Sequence, residues 1–414
     1  MQILEFKLYG TSDQYKLIDE AIRTAQFIRN KCIRAWVDEG AKPKDERQKF
    51  GPVSFNYLCA PLAKEFEFAD KLNAHARHAS AERAWQSVAH FYSNCRSGKP
   101  GKKGYPKFQK DNRSVEYKTS GWKLSADRKS INFKDGHKIG WLKLTGGRQI
   151  EISHLEHIKR VRIVRLADGY YAQFSINVPN EEHVAPTGKS SGIDVGLESF
   201  YTDSNGAKVE NPRNLRKSEH KLKRLQRRLS KKRKGSKNKE KARKRLARKH
   251  LKVSRQRKDF AVKTARCVVK SNDFVAVEDL KVRNMVKNHR LAKSISDASW
   301  RQFRTWLEYY GRKFGRVVVA VDPAYTSQVC SACGCLPSVK KGLGDRWHAC
   351  EHCGFETDRD HNAALNILSR GLREHSKSTV GRTVQACGDE TSLSSSSDIG
   401  LMKVLSMKQE SPSL

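Results

Sequence analysis

Cys330-Ser331-Ala332-Cys333 and Cys350-Glu351-His352-Cys353, followed closely by Asp358-Arg359-Asp360-His361-Asn362-Ala363-Ala364-Leu365-Asn366, decide how this chain is read. The pairs Cys330/Cys333 and Cys350/Cys353 stand sixteen residues apart, the spacing of a four-thiolate zinc ribbon. Four thiolates close the coordination shell, so the zinc expected here is structural. Cys335 and His348 lie close enough to be rivals, yet the paired spacing needs neither. The acids just downstream are where a second, catalytic metal would find oxygen ligands, and the zinc is then expected to brace the loop that delivers them.

Upstream, two more acids occupy places where carboxylates are rare. Ser191-Gly192-Ile193-Asp194-Val195-Gly196-Leu197 reads as a buried strand interrupted by Asp194, and Phe274-Val275-Ala276-Val277-Glu278 is an apolar run ending in Glu278. A buried carboxylate is costly unless paired or metal-bound. Each taken singly is most simply a capped turn or a satisfied hydrogen bond. The order of elements changes that: strand with Asp194, hairpin, long helical segment, strand with Glu278, helix, strand, helix with Asp360. It is the order of an RNase H-type sheet, whose parallel strands present their active ends on one side. Three carboxylates around two divalent ions about 3.5–4 Å apart suit phosphodiester hydrolysis, with magnesium expected from the hard oxygen ligands. Asp358 is the close rival of Asp360 and is read as the helix cap or a supporting partner. Glu198, Asp279 and Asp297 are better explained by capping or surface placement.

The charge balance names the class of partner. Lys and Arg number 82 against 44 Asp and Glu, a net +38, and a chain this basic repels itself unless a polyanion neutralises it. The charge is clustered, which argues against a merely solvated surface and for nucleic acid. No stretch approaches the roughly 20 apolar residues of a membrane span, the opening residues lack a signal-peptide core, and the cysteines outside the two pairs form no framework. The expected location is the cytoplasm or nucleoid.

The remaining segments divide by period. Residues 3–9 alternate as a short strand, and Gly10-Thr11-Ser12-Asp13 then starts a helix with Leu17, Ile18, Ala21, Ile22, Ala25, Ile28, Cys32 and Trp36 on one side. A second helix is expected from Asn73 to Cys95. The Gly- and Pro-rich run 98–108 excludes helix, and its lysines could clamp phosphate. From there to about Val178 the period is two, with Asp168-Gly169 as a hairpin turn, so an antiparallel sheet or small barrel is expected, joined by the opening strand. From Arg213 to Lys258 the chain is dense in Lys and Arg, but Leu215, Leu222 and Leu229, then Leu246, Val253, Phe260 and Cys267, recur every seven. They predict an antiparallel helical hairpin with a narrow apolar seam and a basic exterior, broken at Gly235-Ser236. Ser296-Asp297 is read as the cap of a helix carrying Trp300, Phe303, Leu307 and Phe314. Residues 179–190 read as a linker, the last helix is expected to end near Leu372, and the tail after Glu374 is expected to be disordered. The fold class is α/β with β-barrel and helical units.

With these residues in hand, the chain resembles the TnpB family, the insertion-sequence OrfB proteins related to type V CRISPR effectors. The resemblance rests on Gly192-Ile193-Asp194-Val195-Gly196, Val277-Glu278-Asp279-Leu280, Leu291 to Trp300, Thr326-Ser327-Gln328 before the cysteines, Asp358 to Asn366, and Gly104-Tyr105-Pro106-Lys107-Phe108 in the N-terminal half. It implies a wedge-like β-barrel (1–10 and 114–184) with a helical recognition insertion (11–113). It further implies an RNase H-like RuvC domain (185–325 and 356–373, with the basic hairpin at 213–270), a zinc ribbon (326–355) and a tail (374–414). It places catalysis and magnesium on Asp194, Glu278 and Asp360. It also implies a noncoding guide RNA, double-stranded target DNA and a displaced single strand as partners, with base pairing reading sequence. Tyr57, Trp85, Phe108 and Trp122 could stack on bases, though core packing is the simpler fate of each. Two alternatives stay open: a compact type V CRISPR effector or TnpB-derived intermediate with another guide, and a transposase accessory or noncatalytic RNA-binding regulator. The intact acid trio argues against the second.

Overall fold

The computed structural model describes residues 2–386 apart from 49, 99, 147–149, 151–154, 178–181, 183 and 343. The chain forms two units, Met1–Glu181 with Asn214–Gln256, and Glu182–Arg213 with Arg257–Leu414.

The first unit opens with β1 (Gln2–Tyr9) and α1 (Ser12–Ala41). Thr11 starts α1 with a capping box: its Oγ accepts from the Gln14 amide (3.2 Å), and the Gln14 side chain accepts from the Thr11 amide (2.9 Å). The three-and-four spacing buries Ile18, Ala21, Ile22, Ala25, Ile28, Cys32 and Trp36. Short helices α2 (Pro52–Tyr57), α3 (Cys59–Glu65) and α4 (Glu67–Asp70) lead to α5 (Ala74–Arg96), which packs on α1 through Ala76, Ala84 and Val88. The Gly- and Pro-rich run that follows is held against α1: Arg29, itself buried, donates to Lys107 O (3.1 Å), and Asn30 exchanges hydrogen bonds with the Gln109 backbone.

Six strands complete a seven-stranded antiparallel sheet: β2 (Ser114–Lys118), β3 (Trp122–Leu124), β4 (Ser130–Phe133), β5 (Trp141–Thr145), β6 (Ile158–Leu166) and β7 (Gly169–Ile176). The order is β2-β6-β7-β1-β5-β4-β3, so β1 lies inside the sheet between β7 and β5. The two edge strands, β2 and β3, are joined by the three-residue turn Thr119–Gly121. Edges that meet within one turn require the sheet to curl on itself, and aromatic rings fill the curl. Tyr117 lies against Phe133 (4.8 Å between centroids), and Phe6 and Trp122 meet Phe174 edge-on.

The second unit begins with β8 (Ser190–Val195), β9 (Ser199–Asp203) and β10 (Lys208–Glu210). Of the expected linker 179–190, residues 179–181 and 183 lie outside the described residues. Next come the hairpin helices α6 (Asn214–Ser230) and α7 (Lys237–Ser271), turning at Gly235 with φ +83°. Leu222, Leu246 and Val253 form the buried seam, with Leu215, Leu225 and Leu229 beside it. The heptad does not hold to its end, because Cys267 is exposed and Ala261, Ala265, Val268 and Val269 turn inward instead. A straight helix drifts about 20° per heptad, so a long α7 changes its buried face along its length. The expected division counted 213–270 with the later domain, but Asn214–Gln256 packs with the first unit. Arg255 pairs with Asp168 (2.6 Å) and Arg248 donates to Ala167 O (3.2 Å).

After α7 come β11 (Phe274–Glu278), α8 (Val282–Met285), α9 (Ala292–Ala298), α10 (Trp300–Phe314), β12 (Val317–Val321), the small hairpin β13 (Trp347–Ala349) and β14 (Glu356–Asp358), and α11 (Arg359–Ala386). The larger sheet runs β10-β9-β8-β11-β12: three antiparallel strands, then two parallel to β8. Two expectations fail here. Ser296 and Asp297 lie inside α9, and the residue between the helices is Ser299 in the left-handed region (φ 58°), whose carbonyl accepts from Gln302 and Phe303. A Ser-Asp pair has the chemistry of a cap, but the backbone reverses three residues later. The last helix continues to Ala386, past both Leu372 and the expected start of the disordered tail; residues 387–414 lie outside the described residues.

Candidate metal centre

The register of the parallel strands sets the first two acids. Gly192 lies opposite Ala276 and Ile193 opposite Val277, so the next residues along, Asp194 and Glu278, fall side by side at the carboxyl ends of β8 and β11. The third acid comes from α11, and a glycine controls its approach. A Cβ on Gly192 would stand 2.1 Å from Ala364 O and 2.7 Å from Leu368 N, so α11 lies directly on the β8 backbone. Farther along, a Cβ on Gly371 would stand 2.5 Å from the Ala276 Cβ. Asp360 is one turn before Ala364, towards the strand end that bears Asp194.

Burial, and then the charges of Glu278 and Asp360, push the Asp194 carboxyl well above its usual range, with Arg359 opposing. Burial also raises Glu278, against a hydrogen bond donated by the Thr326 hydroxyl (2.5 Å). Asp360 has two cations at longer range, Arg359 (3.7 Å) and Arg346 (3.8 Å), and Arg346 also reaches Glu198 (3.1 Å). The carboxylates are spaced more widely than the thiols. Among the described residues, only Cys330, Cys333, Cys350 and Cys353 bring such ligand atoms within 4.8 Å of one another.

Asp358 and Asp360 have different work. Asp358 Oδ1 accepts from the amides of Asp360 (3.0 Å) and His361 (3.3 Å), and its Oδ2 accepts from Lys208 (2.7 Å). Burial resists its ionisation, but Lys208 and the two amides outweigh burial and hold its pKa below the usual range. It caps α11. The other rivals are also engaged, Asp279 with Arg304 and Glu198 with Arg346.

The cysteines form two matching knuckles. Cys330 N donates to Cys335 O (2.9 Å) and Gly334 N to Cys330 O (2.9 Å); Cys350 N donates to Phe355 O and Gly354 N to Cys350 O (both 3.0 Å). Gly334 and Gly354 have φ of +78° and +70°, which explains glycine after each CxxC. The Sγ separations of 3.7 Å (Cys330–Cys353) and 3.5 Å (Cys333–Cys350) suit a tetrahedron of Zn–S bonds of ~2.3 Å, whose edge is ~3.8 Å. The amides of Cys353 and His352 lower the Cys350 thiol to about 6, towards the thiolate a metal binds. His348 is buried against Lys341 (2.6 Å) rather than in the cluster.

Sequence reasoning missed what joins these knuckles to the acids. Buried Asn362 accepts from the Ser331 amide (2.9 Å) and donates to Val329 O (2.8 Å), and Asn366, one turn on, donates to Thr326 O and Val329 O (2.9 and 2.7 Å). The loop leading into Cys330 is thus tied to the helix that bears Asp360, and Thr326 in the same loop holds Glu278. The signal was present as two asparagines at i and i+4, which share a helix face.

Comparison with known proteins gives the following. The family OrfB_IS605, described as "Probable transposase", matches residues 173–289, and "Cas12f1-like, TNB domain" matches residues 300–367. A Streptomyces pristinaespiralis protein named "Putative RNA-guided DNA endonuclease" is 30% identical over 397 residues, covering 93% of this chain and 90% of that protein. Escherichia coli K12 InsQ, similarly named, is 30% identical over 301 residues, covering 69% and 70%. Among solved structures, the protein of a Cas12f1-sgRNA-target DNA complex shares the fold, with TM-score 0.53 at 18% identity over 86% of this chain and 83% of that one. Among the described residues no helix is long and apolar enough to cross a membrane.

Proposed function

The chain belongs to the TnpB family of insertion-sequence OrfB proteins, and on that premise we propose that it is an RNA-guided DNA endonuclease whose RuvC-type site is Asp194, Glu278 and Asp360. The observation that carries the reading is the parallel register that sets Asp194 beside Glu278, with α11 seated on Gly192 so that Asp360 approaches the same strand end. The sheet order, three antiparallel strands followed by two parallel ones, supports the RNase H-like assignment.

The donor set fits hard divalent ions, magnesium by default: carboxylates whose charges act on one another have most to gain from a cation between them. Two such ions, when bound, supply activation of the attacking water and stabilisation of the leaving 3′-oxygen. The protein's own part is orientation. Thr326 fixes one Glu278 oxygen, Asp358 sets the first turn of α11, and the Asn362 and Asn366 bonds keep that turn against the loop that precedes Cys330. Cys330, Cys333, Cys350 and Cys353 would hold zinc as a scaffold.

The polyanion partners follow from charge. The α6–α7 hairpin contains a cavity of about 540 Å³ bordered by Arg228, Lys231, Lys232, Lys241 and Arg245, with no acid on its lining. Such a surface suits a nucleic-acid backbone regardless of sequence. A noncoding guide RNA pairing with the target would then supply the specificity, and the charged surfaces would hold the heteroduplex and displaced strand.

The test is to purify the protein from its native locus, sequence the RNA that accompanies it, and assay cleavage of a matched DNA target with Mg²⁺. Element-end RNA is expected; a repeat-derived RNA would favour the CRISPR alternative. Asp194→Ala, Glu278→Ala and Asp360→Ala should each abolish cutting and leave nucleic-acid binding intact. Robust cutting by Asp194→Ala, or absence of RNA, would overturn the reading.

A further inference from the structure

Asp203-Ser204-Asn205-Gly206, the turn between β9 and β10, is built to keep one shape. Asp203 Oδ1 accepts from the amides of Asn205 and Ala207 (both 2.9 Å), and the Asp203 amide donates to Ala207 O (2.9 Å). Gly206 supplies the left-handed step, with φ +80°. At the root of the turn, buried Ser204 is fastened to β8: its amide donates to Gly192 O (2.9 Å), and its Oγ accepts from the Gly192 amide (3.1 Å). Gly192 is also the residue on which α11 lies.

The same hairpin reaches α11 on both sides of Asp360. On one side Lys208, two residues past Gly206, donates to Asp358 Oδ2 (2.7 Å). On the other, Ser204 O stands 3.2 Å from His361 Nε2. A carbonyl oxygen only accepts, so this ring nitrogen carries the proton. Nδ1, 3.0 Å from the Thr357 hydroxyl, is then the acceptor of the neutral ring. The ring packs on Gly206, where a Cβ would stand 3.7 Å from His361 Cε1 and 3.8 Å from either nitrogen. His361 adjoins a proposed metal ligand, yet both of its nitrogens are committed within the protein, which leaves it neither a lone pair for a metal nor a proton for the substrate.

We propose that His361 is the positioning residue for Asp360, and that the β9–β10 turn is the clamp through which it acts. The inference rests on the nuclease reading above and deepens it. The nearest cations to the Asp360 carboxylate stand at 3.7 and 3.8 Å, beyond hydrogen-bond reach, so its place follows from the helical turn that carries it. That turn is gripped through the residues flanking Asp360: Asp358 by Lys208, and His361 by Ser204. Ser204 is bonded at the same time to Gly192, two residues before Asp194. One rigid turn therefore sets the end of β8 and the start of α11 in a common frame, and with them two of the three carboxylates.

The test uses the RNA-loaded full chain and a target matched to that RNA. His361→Phe keeps a flat ring on Gly206 and removes both hydrogen bonds, whereas His361→Gln returns an amide N–H near the place of Nε2. In single turnover at saturating Mg²⁺, His361→Phe should cut about ten-fold more slowly and need several-fold more Mg²⁺ for half its maximal rate. It should bind the target as tightly as the wild type when Ca²⁺ replaces Mg²⁺. Without added Mg²⁺, amide exchange in the first turn of α11 should quicken about ten-fold while β8 and β11 stay protected. His361→Gln should restore most of the rate and of the protection. Lys208→Met opens the other side of the clamp at an exposed position and should show the same pattern more weakly; it decides the matter if His361→Phe does not fold. Wild-type cutting and exchange in His361→Phe, a Gln variant no better than Phe, or a loss of rate matched by an equal loss of target binding would overturn the positioning role. Cutting by Asp194→Ala would instead overturn the nuclease reading, leaving amide exchange to decide the clamp.

Discussion

Gly192→Ala is the most informative single change, because it adds one methyl group where α11 meets β8. The new Cβ would start 2.1 Å from Ala364 O, whereas ordinary contact begins near 3.4 Å, so helix and strand must separate by about 1.3 Å. The obstacle is a backbone oxygen, and trimming a neighbouring side chain cannot remove it. Overpacking of this kind destabilises by about 1–3 kcal/mol. In a unit of this size each kcal/mol lowers the melting temperature by about 2–4 °C. The effect on the site should be larger. Asp360 rides on the displaced helix, Asp194 and Glu278 stay with the sheet, and a misplacement of about 1 Å can reduce a rate about 10²-fold. Single-turnover cutting of a matched target at saturating Mg²⁺, beside a thermal melt, reads both quantities. Gly371→Ala is the control. Its Cβ would start 2.5 Å from the Ala276 Cβ, but it lies eleven residues beyond Asp360, ~16 Å along the helix. It should lower stability by a similar amount and slow cutting much less. A Gly192→Ala protein that melts and cuts like the wild type would refute the argument that this contact sets the third carboxylate.

Three further outcomes are expected. Removing zinc with a chelator should abolish cutting and raise hydrogen exchange first in 326–355 and the first turns of α11, while β8 and β11 stay protected; simultaneous loss of protection everywhere would show that the ribbon is no local brace. Asp358→Asn should keep most of the helix cap and measurable cutting, and Asp358→Ala should lose about 1 kcal/mol of stability, whereas Asp360→Asn should abolish cutting; equal inactivation by the two Asn variants would make Asp358 a metal ligand. In the curled sheet, burial would raise the pKa of Glu116, but Arg162 (2.6 Å) and Arg160 (3.1 Å) overcome it and hold the folded value below the unfolded one of about 4.3. The stability this group contributes is therefore complete above that pH and lost as pH falls through the folded value, so Glu116→Gln should be less stable by about 1–3 kcal/mol at pH 7 and converge with the wild type in acid, as read by pH-dependent melting.

The parts of the fold set by local chemistry were legible in the sequence. Period-two runs bounded by turn residues gave the strands, the capping signal at Thr11 gave α1, and two CxxC pairs gave the cluster of four thiols. What escaped depended on where the backbone turns or on which element lies opposite. Ser299 does not cap α10 with its side chain, whose hydroxyl donates back to Ser296 O (3.2 Å), yet its left-handed backbone separates α9 from α10. The seven-residue repeat promised one apolar face through Cys267, but α7 meets α6 in one part and the core of the second sheet in another, so different residues turn inward. α11 runs on past Leu372 although Gly371 stands beside it, because that glycine is a close contact with Ala276 inside the helix rather than its end.

The candidate site divides in the same way. Asp194 and Glu278 were visible because a carboxylate inside or at the end of an apolar strand is an anomaly in one dimension. The means of holding them is visible only in three. Gly192 is ordinary in a strand until a helix is found lying on it, and Asn362 and Asn366 are ordinary in a helix until Thr326 and Val329, before Cys330, are found accepting from them and Ser331, just after it, donating to Asn362. Thr326 closes the circuit, giving its hydroxyl to Glu278 and its carbonyl to Asn366. A shift of the cysteine loop therefore acts on Glu278 through Thr326 and on Asp360 through α11 at once. For this reason the thiols and the carboxylates, distinct in chemistry, should lose their function together when the zinc is removed.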